Sequence, residues 1–253
     1  MANNTIEKYI MPFEKRKQFA QTTLFQQMLT VWNEEKYQTD QKEGSIPYLL
    51  KKAHEEYTTK HPETPVMSRV EWGLFYNTSG KERLEKLKTE RDSFNLNIYH
   101  GRTVADFVPI ARDFCETLRL RGFNVSSSIC LNFIYFMIVD FSYVDYVRQI
   151  QTLRGFCAKN PNTKYKLTDP LTCLNNGVDA IIFSNDDKLL FAMQVLPESY
   201  LKDTPRNQKI KMLNQQKHDS FEYIYHIKVK TVYASTKGYI KCVEPKSNNS
   251  SPV

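Results

Sequence analysis

A chain of 253 residues with 41% hydrophobic, 13% aromatic and 25% charged side chains can bury a full core, and its composition excludes collagen-like, disordered and repeat architectures. The net charge of +7 and a pI near 9.0 favour an anionic partner such as nucleic acid, or else a basic surface that only aids solubility. Five widely spaced cysteines without a CxxC pair exclude a disulfide framework and a zinc ribbon.

The opening MANNTIEKYIMPFEKRKQF holds no apolar stretch long enough for a secretory signal, so a reducing cytoplasmic setting is expected. Residues 1–62 read as an amphipathic helical arm or cap. Phe19, Leu24, Phe25, Met28, Leu29 and Trp32 are spaced to share a face, and Ile46-Pro47 opens a second segment through Tyr48, Leu49, Leu50 and Tyr57. His61-Pro62-Glu63-Thr64-Pro65 is a turn and a subdomain boundary, after which residues 63–246 form an α/β domain and 247–253 a polar tail. A charged helix with a solvated face is predicted from Lys81 to Arg91 around Leu84 and Leu87.

From Thr103 to Arg121 the residues Val104, Phe107, Val108, Ala111, Phe114, Cys115 and Leu118 recur at helical spacing, and Gly122 supplies a stop. The run Ile129–Val147 has nearly the length of a bilayer span. Asn132, Asp140 and Asp145 interrupt it, and a charge near the membrane centre costs about 2.5–3.5 kcal/mol, so a buried helix is expected and no membrane span. Residues 159–176, rich in Asn, Pro, Thr and Lys, read as a loop.

Strands follow. Val178–Phe183, the turn Ser184-Asn185-Asp186-Asp187 and Lys188–Val195 make a β-hairpin. Tyr200–Lys217 reads as a helix whose start is limited by Pro205, and Phe221–Tyr233 alternates like a half-buried strand. Between Lys202 and Lys246 lie ten Lys or Arg residues against four acids, so the excess charge is concentrated there. Lys202, Arg206, Lys209, Lys211 and Lys217 are candidates for contacts to phosphates, or a solvated basic face. Tyr223, Tyr225 and Tyr233, interleaved with Lys228 and Lys230, suit stacking on bases or a place in the core.

The sharpest local feature is Gly177-Val178-Asp179 opening one hairpin arm, with Met193-Gln194-Val195-Leu196-Pro197-Glu198 ending the other. Neighbouring strands lie about 4.8 Å apart, so Asp179 and Gln194 can sit side by side and hold a divalent metal; oxygen ligands suit Mg²⁺, which can clamp a phosphodiester for hydrolysis. The bland reading makes Asp179 a turn residue, Gln194 an edge polar group and Glu198 a first-turn acid. His54, His61, His218 and His226 show no zinc spacing, and no Walker loop, GxGxxG, GxSxG or HExxH is present.

The order Asp, hairpin strand with Gln-x-x-Pro, helix, strand over residues 177–233 resembles the PD-(D/E)xK nuclease superfamily. Within it, the segment resembles type II restriction endonucleases and transposase endonuclease subunits that carry Q-[VI]-K-P, here Gln194, Val195, Leu196 and Pro197. The resemblance implies a mixed α/β fold, with a helical N-terminal part and a restriction-endonuclease-like sheet flanked by helices. It further implies a Mg²⁺-dependent endonuclease acting on double-stranded DNA, often as a homodimer, with Asp179 and Gln194 placing the metal. Leu196 stands where the family has its catalytic Lys, so Lys188 or Lys202 must substitute or the protein binds without cutting. For the family's upstream acid, usually on a helix, Glu116 is preferred over Asp140, Asp145 and Asp169. Two other readings stay open: a catalytically inert nucleic-acid-binding module, and an interaction protein that docks partners on its apolar middle helix.

Overall fold

The computed structural model describes residues 7–35 and 40–243 and is mixed α/β, with helices and a five-stranded mixed sheet. The chain divides into two units, one made of residues up to 49 with 67–143, the other of 50–66 with 144 onward. The boundaries thus differ from the predicted division at 62/63: the helical unit takes in residues 67–143, and the predicted tail lies outside the described residues.

In the N-terminal unit, α1 (Phe13–Phe19) leads into α2 (Thr23–Glu34), whose start is fixed by the Thr22 hydroxyl accepting from the Phe25 amide. Phe25, Met28, Val31 and Trp32 form its buried stripe. α3 (Asp40–Ala53) carries Pro47 inside it rather than at its start. α4 (Arg69–Thr89) begins twelve residues before the predicted charged helix, because Ser68 and Glu71 form a reciprocal capping box. After α5 (Ser93–Tyr99), α6 (Val104–Leu120) buries Val104, Phe107, Ala111, Phe114, Cys115 and Leu118, as its spacing predicts, and the chain turns at Gly122 with φ +85°. Phe25, Trp32, Phe114 and Phe133 of α7 (Ser127–Tyr135) pack with ring centroids 4.8–5.7 Å apart. Each such pair adds about 0.5–1.5 kcal/mol beyond its buried area.

The helix that starts at Ser127 continues through a π-turn (Phe136–Asp140) into α8 (Phe141–Lys159). Among the described residues it is long and apolar enough to cross a membrane, and more than half of that apolar window is buried within protein. Two of its buried polar residues, Asn132 and Asp140, are satisfied, whereas the Arg148 Nε has no hydrogen-bond partner among the described residues. Asn132 accepts from the Met11 amide and donates to the Tyr9 and Ser128 carbonyls, while Asp140 takes a bidentate contact from Arg16 at 2.8 and 3.1 Å.

The C-terminal unit contains the π-turn His54–Thr58, most of α8 and the sheet. Residues 159–176 are not a loop. They form β1 (Thr163–Leu167), whose Thr-Lys-Tyr-Lys-Leu alternates, and α9 (Pro170–Asn176), started by Asp169 as N-cap and Pro170 at its first position. β2 (Ala180–Ser184) and β3 (Leu189–Pro197) make the predicted hairpin, and β1, β2 and β3 run antiparallel in that order. α10 (Pro205–Tyr225) then crosses to β4 (Val229–Ala234), parallel to β3, and β5 (Ile240–Val243) closes the other edge. The predicted strand from Phe221 is therefore corrected: Phe221, Tyr223 and Tyr225 lie on α10, and the strand begins at Val229.

A helix covers each face of the sheet. Phe156 of α8 meets Phe191 edge-on at 5.9 Å, whereas Phe221 of α10 packs with Val178, Ala192 and Val229. Since successive strand residues face opposite ways, Phe191, Met193 and Val195 belong to the α8 side, and Ala192, Gln194 and Leu196 to the α10 side.

Candidate active-site residues at the end of the β2–β3 hairpin

Asp179 immediately precedes β2, where the ladder gives out. Its amide donates to the Met193 carbonyl at 2.9 Å, and its carboxylate accepts from the Val195 amide at 2.6 Å, so the side chain stands in for a missing backbone partner. The other carboxylate oxygen accepts from the Gln149 amide of α8 at 2.5 Å and the Cys173 thiol of α9 at 3.3 Å. Asp179 as a residue keeps a little exposed surface, but its carboxyl group lies deep in protein. Burial pushes that carboxyl up to about 6, Asp145 on α8 adds to the rise, and the three donors oppose it. Burial and the neighbouring Asp179 charge hold the Cys173 thiol well above its ordinary range, so it serves as a proton donor to the carboxylate.

Gln194 lies elsewhere. By alternation it faces α10, and its amide nitrogen would sit 2.8 Å from a Cβ placed on Gly177, with His218 of α10 at 3.5 Å. Gln194 is buried, and its Oε1 has no hydrogen-bond partner among the described residues. The carboxylate therefore turns toward α8 and the amide toward α10. The cause is local: Val178 and Ile181 both pack in the α10 cluster, so the two residues between them break the strict alternation and Asp179 swings to the α8 side.

Gly177 holds this arrangement. It caps α9 at φ +66°, where a side chain is strained, and a Cβ would press on the Gln194 amide. Gly177→Ala is expected to destabilise the C-terminal unit by about 1–2 kcal/mol, read as a lower urea midpoint by circular dichroism. An unchanged midpoint would mean that Gln194 is not seated against Gly177.

The remaining sequence candidates are dispersed. Glu116 sits on α6 in the N-terminal unit, exposed, with Arg119 as its partner at 3.6 Å. Asp140 is paired with Arg16 and Arg69 in that same unit. Asp169 caps α9 by accepting from the Thr172 amide. Lys188 lies in the hairpin turn, its amide bonded to the Ser184 hydroxyl, about 20 Å of extended chain from Gln194. Lys202 is exposed beyond the short 3₁₀ turn Glu198–Leu201. Of the basic residues on α10, Arg206, Lys209 and Lys217 are exposed, Lys217 bonding the Leu174 carbonyl, while Lys211 lies half-buried over the Tyr233 ring at 5.6 Å. Tyr233 pairs in register with Leu196, so an ammonium does reach that face of the sheet. Sequence reasoning missed Gln149 and Cys173; their only signal was a helix and a short capped turn flanking the hairpin.

The residues present do not fit a Mg²⁺ site. Asp179 offers a single carboxylate already bound by three donors, Gln194 faces the other side of the sheet, and no cluster of three His, Cys, Asp or Glu residues occurs among the described residues. What the arrangement provides is a carboxyl group locked between α8, α9 and β3. Comparison with protein-family models, curated proteins and solved structures gave no match.

Proposed function

We propose that the C-terminal unit binds nucleic acid along the basic face of α10, on a nuclease-like scaffold, without hydrolysing it through Asp179 and Gln194. The observation that carries this reading is that the Asp179 carboxylate is consumed by the fold, while Arg206 and Lys209 stand exposed on α10. The order of Asp179, hairpin, α10 and β4 supports the scaffold, since the resemblance puts those elements in that sequence. Tyr223, 83% exposed, lies two heptads beyond Lys209 on the same side of α10, and adds an aromatic surface for a base.

Binding of double-stranded DNA is expected to weaken steeply with salt. Arg206→Ala with Lys209→Ala is expected to reduce the slope of log K against log[salt] by about two, because each lost phosphate contact removes about 0.9. A mobility-shift titration measures this, and salt-insensitive binding or no binding would sink the proposal. A second reading, hydrolysis, draws on Asp145, which is bonded to Arg148 at 2.6 Å and whose charge adds to the rise of the Asp179 carboxyl. That reading requires Mg²⁺-dependent cleavage that Asp179→Ala abolishes.

A further inference from the structure

A cavity of about 610 Å³ opens in the C-terminal unit beside the edge strand β1, with no residue of α9 or α10 in its lining. Three elements wall it: the π-turn carrying His54 and Thr58, the last turns of α8 with Arg154 and Gly155, and β1 with Lys164 and Tyr165. A volume of this order suits a small ligand, since such sites usually span about 300–1,000 Å³. π-turns inside helices often mark functional sites because they aim a side chain that regular winding would turn away.

The charges at this cavity leave one cation, Arg154, unmatched by a carboxylate among the described residues. No carboxylate lines the cavity among the described residues. Arg154 spends one amino group on the Pro62 carbonyl at 2.9 Å and has no carboxylate partner among the described residues. A guanidinium held by a carbonyl keeps its full charge and its remaining donors for an incoming anion. Lys164 is matched by Asp187 at 2.8 Å, and Glu55 is the acid that acts on His54. His54 and Tyr165 lie with their rings 5.3 Å apart and tilted by 38°. The walls are otherwise mostly apolar, with Pro62, Ala158 and Cys157 among them. A ligand that suits these walls carries an anionic group for Arg154 and a flat ring for the His54–Tyr165 pair.

We infer that this cavity binds a nucleoside monophosphate, its phosphate on Arg154 and its base against His54 and Tyr165. The site stands apart from Asp179 and from the basic face of α10, and it does not rest on the DNA-binding reading. The chemistry is shared by a free nucleotide and by the phosphorylated end of a strand.

The test uses the full chain and two variants. Gly155 lines the cavity and a Cβ there meets nothing within 4 Å, so Gly155→Leu places a side chain in open space and adds helix propensity. It adds bulk at the cavity wall, and its thermal midpoint reports whether the fold is kept. Adenosine 5′-monophosphate is titrated by calorimetry, beside adenosine, inorganic phosphate and oligonucleotides with and without a 5′-phosphate. Adenosine monophosphate is expected to bind more tightly than either adenosine or phosphate. Arg154→Gln and Gly155→Leu are each expected to weaken it by about tenfold or more, with the thermal midpoint of Gly155→Leu unchanged or raised. If only the 5′-phosphorylated oligonucleotide binds, and both variants weaken it, the ligand is a strand end. Binding of neither, or binding that Gly155→Leu leaves intact, overturns the inference. Loss of DNA binding in Arg206→Ala/Lys209→Ala with nucleotide binding kept separates this site from the α10 surface.

Discussion

Asp140→Ala is expected to lower the stability of the N-terminal unit by about 3–5 kcal/mol, the cost of stripping a buried charge of its partner. Asp140 is 3% exposed and lies at the end of the π-turn, where its carboxylate takes the Nε of Arg16 at 2.8 Å and draws Arg69 to 3.7 Å. Arg69 also donates to the Asp140 carbonyl at 3.0 Å, and its guanidinium lies over the rings of Phe13 and Tyr143 at 4.1 and 4.4 Å. Both guanidinium groups are therefore committed to one acid. Removing that acid leaves two cations facing each other in poorly solvated surroundings. Replacing all three by Met or Leu is expected to recover most of the loss, because the desolvation of the ions then disappears with them. Trp32 and Trp72, the two tryptophans of the chain, both lie in this unit, so tryptophan fluorescence in urea reports its unfolding selectively. A loss below about 1 kcal/mol for Asp140→Ala would place the cluster in open water instead.

The second large effect concerns pH and Asp179. Burial raises its carboxyl from 3.8 to about 6 in the folded chain, which corresponds to about 3 kcal/mol. Between those values the folded state holds a proton that the unfolded state has released, so stability falls as pH rises through the window from about 4 to 6. The stabilising contribution of the neutral form is complete below 3.8 and lost above about 6. Asp179→Asn carries no such proton. It is expected to match the wild type near pH 4 and to exceed it by up to about 3 kcal/mol at pH 7, as measured by urea unfolding followed with circular dichroism. A difference that is flat with pH, or that moves in favour of the wild type as pH rises, would show the carboxylate to be better solvated than its packing implies.

Much of the architecture was legible in the residues. The α6 stripe and its Gly122 stop, and the hairpin around Ser184–Asp187, rest on periodicities and turn chemistry that act locally. The errors have physical causes. Phe221, Tyr223 and Tyr225 alternate like a strand, yet α10 continues to Tyr225 and stops at His226 with φ +57°, where a glycine would have marked the end. Tyr223 and Tyr225 are exposed, so the period-two pattern was a coincidence of surface residues and carried no burial signal. Thr163–Leu167 was hidden because its outward Lys residues made an edge strand look like a polar loop.

The candidate site was legible only in its positions along the chain. Asp179 and Gln194 do occupy the ends of adjacent hairpin arms, but which face each side chain takes depends on the irregularity between Val178 and Ile181, and a one-residue slip reverses the outcome. Gln149 could not be singled out, since its meeting with Asp179 spans thirty residues and is made by tertiary packing. Leu196 was the position at which the residues depart most from the motif that the segment resembles.

The most direct test of the account is to follow binding and nicking on one supercoiled plasmid, with Mg²⁺ present, for the wild type and Asp179→Ala. Salt-sensitive complexes are expected for both proteins, with no nicked or linear product from either. Metal-dependent cleavage by the wild type that Asp179→Ala eliminates, with the variant still folded and bound, would contradict this.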